Sequence, residues 1–281
     1  MLSYRHGFHA GNHADVLKHV VLVQLLRHLT RKEKPLLVVD THAGAGCYSL
    51  ERGFAVKKAE FENGIGRLWP RKDLPAPLAD YVEQVRVVNG DGELRNYPGS
   101  PQLALQLTRE QDRLRLFELH TNESKALQEY FRGAGRRVTV VAGDGFAGMR
   151  AVLPPPSRRG LVLIDPSYEQ AADYRAVPTA VRDALDRFAT GTYAVWYPQV
   201  QRRDAEQLPD QLRRIARGDW LHVSLSVMRP PADGFGLHGS GMFVFNPPWR
   251  LDAVVRAVMP TLVEALGQDD QATYDLQFQQ S

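Results

Sequence analysis

Four acidic residues stand where a carboxylate can hold a ligand. Asp40 opens the segment Asp40-Thr41-His42-Ala43-Gly44-Ala45-Gly46, directly after the apolar run Leu36 to Val39. Glycines there let the backbone approach a nucleotide-like molecule closely, and the acidic residue sits where a ribose or an amino group can be hydrogen-bonded. A nicotinamide cofactor wants a third small residue opening a helix and an acidic residue about twenty positions on. Ser49 serves poorly as that third residue, so S-adenosylmethionine fits this loop better than NAD. A tight strand-to-helix turn without a ligand is the alternative. Glu118, in Phe117-Glu118-Leu119-His120, could accept both ribose hydroxyls of such a cofactor, and Asp144, followed by Gly145, could hydrogen-bond its adenine. The fourth, Asp165, closes the run Leu161 to Ile164 and precedes Pro166, Ser167 and Tyr168.

Asp165-Pro166-Ser167-Tyr168 resembles the Asp-Pro-Pro-Tyr motif of amino-methyltransferases that act on adenine N6 or cytosine N4. An exocyclic amine gives its lone pair to the aromatic ring and is a poor nucleophile. Acceptors that hold its protons favour a pyramidal nitrogen. The Asp165 carboxylate and the Pro166 carbonyl would be those acceptors, stabilising the positive charge that develops on nitrogen. Tyr168 would stack on a base taken out of its helix. Ser167 replaces the second proline, which keeps the hydrogen-bonding atoms and loses some loop rigidity. An ordinary turn after a strand is the competing reading. Asn246-Pro247-Pro248-Trp249 looks superficially closer to the motif, but it follows the seventh apolar run, expected to be antiparallel, and is read as a structural turn.

The elements that must position these residues follow from the hydrophobic pattern. Seven short apolar runs, Leu36 to Val39, Leu114 to Phe117, Val138 to Val141, Leu161 to Ile164, Tyr193 to Trp196, Val223 to Val227 and Met242 to Phe245, read as strands. Helical spacing covers Asp15 to Leu29, Ser100 to Thr108 and Ala171 to Phe188. The alternation predicts an α/β, doubly wound, Rossmann-like sheet of seven strands, with ligands at the carboxyl ends of its parallel strands. Residues 47–99 exceed what one crossover helix needs and read as a small, mostly helical insertion between the first two strands. Residues 1–46 and 100–281 then form the main domain, with 1–19 as an N-terminal arm.

Composition sets the outer limits. A chain of 281 residues with 43% hydrophobic residues can bury a large core. No apolar run approaches the roughly eighteen residues of a membrane span, and the single Cys47 cannot form an internal disulfide, so a soluble cytoplasmic protein with no membrane partner is expected. Cys47 reads as a small packing residue. A net charge of +3 permits a nucleic-acid partner without requiring one. Seven basic pairs, among them Arg136-Arg137, Arg158-Arg159 and Arg202-Arg203, would supply phosphate contacts if several converged on the strand-end face. His6, His9, His13 and His19 invite a metal reading, but no Cys or acidic cluster completes a ligand set. No metal is expected, and the His-dense segment reads as a polar lid over the site or as a solvated arm.

Taken in order, the segment from Met1 through Tyr4-Arg5-His6-Gly7-Phe8-His9 to His19, the loop Asp40 to Gly46, Tyr97-Pro98-Gly99-Ser100-Pro101, Arg158 to Tyr168 and Phe188 to Pro198 are similar to the bacterial 23S ribosomal RNA adenine-N6 methyltransferases. The similarity runs through most of the chain. It implies a monomer with no obligate protein partner, acting on nascent, protein-free 23S ribosomal RNA. It further implies that Lys18, His19, His42, Ser100, Glu118, Asp144 and Gly145 contact S-adenosylmethionine, that Asp165 is catalytic, and that Tyr4 and His6 lie near the RNA base. The stretch Gly267 to Ser281 carries no resemblance. The same chemistry leaves open a DNA adenine-N6 or cytosine-N4 methyltransferase. A non-catalytic RNA-binding protein that keeps the fold is the alternative outside enzymology.

Overall fold

In a computed structural model of the chain, which describes residues 6–52, 59–90 and 92–280, the apolar runs become strands in the expected places. In chain order the strands are β1 (Leu37–Asp40), β2 (Cys47–Ser49), β3 (Asn96–Pro98), β4 (Arg113–Glu118), β5 (Val138–Ala142), β6 (Gly160–Ile164), β7 (Thr192–Gln199), β8 (Trp220–Ser226), β9 (Gly239–Phe245) and β10 (Thr273–Gln279). The main sheet has the order β10-β8-β9-β7-β6-β1-β4-β5. Strands β5, β4, β1, β6 and β7 are parallel neighbours, whereas β9 runs antiparallel between β7 and β8. β1 and β6 are buried along their whole length, because helices cover both faces of the parallel centre.

The sheet has eight strands among the described residues, one more than the seven expected. The eighth is β10, which pairs antiparallel with β8 at the edge. Its Tyr274, Leu276 and Phe278 alternate with polar residues, the period-two signal of a half-exposed strand. Helices agree with the spacing to within two residues. The first is α1 (His13–Leu29), whose start lies two residues before Asp15 because the Asn12 side chain caps it, accepting from the Ala14 and Asp15 amides at 3.0 Å each. Asp15 reaches back to the Gly11 amide at 2.9 Å, a variant of the capping box.

Residues 47–99 interrupt the crossover from β1 to β4. The glycine loop after β1 leads not into a helix but into β2, and the crossover helix Ser100–Leu107 begins only after β3. The two short strands pair antiparallel, Cys47 opposite Pro98 and Ser49 opposite Asn96, and the Gly99 amide donates to the Gly46 carbonyl at 2.9 Å. Chain exit and re-entry are thereby pinned side by side. Between them lie the helices Ile65–Leu68 and Ala76–Val87.

Side chains alternate between two core layers along the inner strands. Val38, Leu114, Leu163 and Val244 face a layer completed by α1, helix Ser100–Leu107 and helix Leu251–Leu266, and this layer also takes in Ile65, Leu78, Tyr81 and Tyr97 of the 47–99 segment. Val39, Val162, Val195 and Phe243 face the layer under helices Ala171–Arg187 and Arg203–Ile215. Among the described residues no helix is long and apolar enough to cross a membrane.

Candidate functional site

Four adjacent parallel strands end at one crevice, and each end delivers an acidic residue. β1 ends in Asp40, β4 in Glu118, β5 runs through Gly143 into Asp144, and β6 is followed by Asp165. A cavity of about 270 Å³ lies beside them, lined by Lys18, His19, His42, Gly44, Ser100, Glu118, Asp144, Gly145, Asp165 and Pro166 among others. Asp40, expected to meet the ligand, is instead buried and accepts from Ser100 and the His42 amide. Every residue to which the family resemblance assigned cofactor contact faces one space. α1 brings Lys18 and His19, the loop after β1 brings His42, and helix Ser100–Leu107 brings Ser100 as its first residue.

Several of these residues also hold one another. Glu118 accepts from the Gly44 amide at 2.8 Å and from the His120 amide at 2.7 Å, so it fastens the glycine loop to the end of β4. A carboxylate offers about four acceptor positions, and those two bonds leave capacity for ribose hydroxyls. Asp144 caps helix Gly145–Val152 by accepting from the Phe146 amide at 2.9 Å. His19, fully buried, bonds Tyr97 Oη through Nδ1 at 2.7 Å. Ser100 donates to Asp40 at 2.6 Å. Burial pushes the Asp40 carboxyl up to about 6, against the Ser100 and His42 hydrogen bonds, with the nearby Asp165 charge adding to the rise. Burial pulls His42 down to about 4, so its ring is neutral at physiological pH.

Close backbone approach shapes the cradle. Gly44 and Gly46 both adopt left-handed φ values, and a Cβ on Gly44 would fall 2.1 Å from Tyr48 Oη. A Cβ on Gly145 would fall 1.9 Å from the Thr41 carbonyl oxygen. The donor set suits S-adenosylmethionine: a backbone cradle at the glycine loop, a strand-end carboxylate for a ribose, a second carboxylate beside it for an adenine amine, and a buried cation nearby.

Lys18 does more than line this cavity. Its Nζ lies 2.5 Å from Asp165 Oδ2 and 2.8 Å from Asp15 Oδ1. Burial by itself would lower its pKa, but the two carboxylates overcome that cost and hold it above its ordinary value. The pairing with Asp165 joins α1 to the loop after β6 and had no signal in the sequence.

A second cavity, of about 600 Å³, meets the first at Lys18, Asp165 and Ser167. Tyr168 lines this one and not the first. It has a left-handed φ of 52°, is 3% exposed, and donates from its hydroxyl to the Trp196 carbonyl at 2.8 Å. Its ring packs on Tyr174 and Trp196 at centroid distances of 4.7 and 6.1 Å. Tyr174, Trp196, Arg202 and Phe235 complete an aromatic wall that sequence reasoning did not identify, because they come from a helix, a strand and two loops far apart in the chain.

Other assigned residues fall elsewhere. Tyr4 lies outside the described residues, and of His6 only the backbone is described, in the 3-10 turn His6–Phe8. The basic pairs do not gather at the strand ends: among the described residues, Arg202 is the only member that lines either cavity. Arg137 and Arg159 instead bond carbonyls of neighbouring loops, and Arg71 pairs with Asp73 and Glu264. Asn246 sits at the opposite end of the sheet, its amide donating to the Ala189 and Gly191 carbonyls at 2.7 Å each, which makes it part of a turn. Among the described residues no group of three or more His, Cys, Asp or Glu side chains is arranged to hold a metal ion.

A solved structure from Legionella pneumophila is 36% identical, with a TM-score of 0.88, over 96% of this chain and 98% of that one. The ribosomal RNA large subunit methyltransferase J of Escherichia coli is 47% identical over 93% of each chain. Its namesake in Haemophilus influenzae is 46% identical, over 95% of this chain and 94% of the relative. The sequence profile of a family described as "Ribosomal RNA large subunit methyltransferase D, RlmJ" matches residues 33–279, and the chain belongs to that family.

Proposed function

We propose that the protein transfers a methyl group from S-adenosylmethionine to the exocyclic N6 of one adenine in 23S ribosomal RNA, acting on RNA that ribosomal proteins do not yet cover. The observation that carries this reading is the position of Asp165 at the junction of two cavities, one suited to a nucleoside cofactor and the other walled by aromatic rings. Family membership supports a methyltransferase acting on large-subunit RNA.

When bound, S-adenosylmethionine supplies a methyl group on a positively charged sulfur. Glu118 accepts from the ribose hydroxyls and Asp144 from the adenine amine, while the backbone of the loop from Ala43 to Gly46 follows the cofactor closely. Lys18 holds the Asp165 carboxylate by its Oδ2. Asp165 and the Pro166 carbonyl accept hydrogen bonds from the target amine, which aims its lone pair toward the first cavity and stabilises the charge that grows on nitrogen. The target base occupies the part of the second cavity beside Asp165, against the ring system of Tyr168 and Trp196. The family resemblance assigns Tyr4 and His6 to contact with the RNA base.

Methylation of deproteinised 23S RNA with labelled donor, followed by mass mapping of the product, tests the proposal. One N6-methyladenine is the expected result. Label only in DNA, or on cytosine N4, would assign a different acceptor, and binding without transfer would make the protein non-catalytic.

A further inference from the structure

Phe235 is 79% exposed, the most exposed large apolar side chain among the described residues. Single exposed apolar residues are common and need no explanation. Its setting is what distinguishes it. The loop between β8 and β9 carries it to the second cavity, whose other walls include Trp196, Tyr174 and Tyr168 as well as the charged Lys18, Asp165 and Asp233. Arg202 lies over the Tyr174 ring at 5.3 Å.

Local turns hold the phenyl ring outward. Gly234 and Gly236 flank it with φ values of 77° and 107°, the left-handed region. The Gly234 amide donates to the Pro231 carbonyl at 3.0 Å, and the Phe235 amide donates to Asp233 Oδ1, also at 3.0 Å. The Gln201 side chain donates to the same Pro231 carbonyl. The ring is therefore presented by a tied loop, which lowers the entropy lost when it packs on a partner.

The second cavity has more than twice the volume of the first. A single base beside Asp165 fills only the inner part of it. Tyr168 and Tyr174 are buried and Arg202 covers the Tyr174 ring, so the half-buried Trp196 and the exposed Phe235 are the rings of this cavity that an unstacked base can meet.

We propose that Phe235 stacks on a nucleotide next to the target adenine and so positions the RNA strand. This rests on the assignment of ribosomal RNA as substrate. The sequence reading singled out no residue of this loop, because one phenylalanine between glycines has no periodic or motif signal.

The test uses the full-length protein and RNA oligonucleotides centred on the adenine mapped above, with steady-state methylation as the readout. Phe235→Ala raises KM for RNA about 5- to 150-fold, the range expected for one stacked base, with kcat changed far less. Phe235→Trp stays within about threefold of wild type, and S-adenosylmethionine affinity is the same in all three proteins. Removing the flanking base, as an abasic site tried on each side of the adenine, costs wild type the same factor on one side and Phe235→Ala nothing more. Phe235→Ala within about twofold of wild type overturns the inference. So do losses from variant and abasic site that multiply on both sides. Wild-type protein that methylates no ribosomal RNA fails at the first step, and the substrate assignment then falls together with the role of Phe235.

Discussion

Lys18 Nζ and Asp165 Oδ2 are 2.5 Å apart, and the two residues line both cavities of the site. The contact is the last link of a chain that begins at the start of α1: the Gly11 amide donates to Asp15, Asp15 pairs with Lys18, and Lys18 pairs with Asp165. The capping of a helix and the orientation of the proposed catalytic carboxylate are therefore one network. Such buried pairs add little net stability but fix geometry, because an unpartnered charge in the same place would cost several kcal/mol.

Replacing Asp165 separates geometry from charge. Asp165→Ala abolishes methyl transfer, and Asp165→Asn, which keeps one acceptor oxygen, lowers kcat by roughly 10²- to 10³-fold, the size of one lost electrostatic contact to a transition state. Both variants fold, since Lys18 retains Asp15, and calorimetry shows S-adenosylmethionine affinity within about threefold of wild type. Turnover near the wild-type rate in either variant removes Asp165 from the mechanism.

Glu118→Gln is a binding variant. Its amide nitrogen must face either the Gly44 or the His120 amide, so one part-buried donor meets another donor. Hydrogen bonds to charged groups contribute about 1.5–3 kcal/mol, which places the expected rise in cofactor Kd at roughly 10- to 150-fold. Titration calorimetry reads this directly, and an unchanged Kd contradicts the role of Glu118.

Gly145→Ala tests the close packing of the cradle. The added Cβ would meet the Thr41 carbonyl oxygen at 1.9 Å, and neither can rotate away, because the oxygen is main chain and the backbone fixes the Cβ. The helix must shift against the glycine loop at a cost of about 1–3 kcal/mol. A lower Tm is expected, together with S-adenosylmethionine affinity reduced about tenfold or more. Wild-type values for both would show that the approach is looser than described.

Two buried groups give opposite pH dependences of stability. Asp40 titrates at about 6 in the fold against an ordinary 3.8, so the native state binds the proton more tightly, and stability falls as pH rises from 4 through 6. Asp40→Asn removes that loss, worth roughly 3 kcal/mol at neutral pH. His222 is pulled down from 6.5 to about 4 by burial, with Arg213 reinforcing and Asp275 and Asp210 opposing; its Nε2 bonds Tyr197 Oη at 2.7 Å. Its contribution is present above pH 6.5 and is lost as pH falls toward 4, so His222→Gln flattens the acid limb by roughly 3 kcal/mol. Urea unfolding at a series of pH values separates the two. Parallel curves for wild type and Asp40→Asn would mean that Asp40 is not buried as a charge.

Much of this architecture could be read from the amino-acid order, because strand and helix formation answer to local periodicity. Seven apolar runs, the glycine loop and the acidic residue after each inner strand are enough to put Glu118, Asp144 and Asp165 at the carboxyl ends of parallel strands. β10 escaped because its apolar residues, Tyr274, Leu276 and Phe278, are separated by polar ones and form no continuous apolar run like those that marked the other strands. The antiparallel course of β9 and the turn at Asn246 followed from order along the chain.

Only the folded chain decided which side chains meet. The hydrogen bond from Ser100 to Asp40 and the ion pair between Lys18 and Asp165 span 60 and 147 residues of sequence, and no local pattern encodes contacts at such separations. The same holds for the cavity shared by Tyr168, Trp196, Arg202 and Phe235, which exists because a strand end, a helix and two loops are packed into one place. Periodicity determines how each segment folds back on its neighbours, whereas a site is built from the residues left at the ends, and their meeting depends on the packing of the whole sheet.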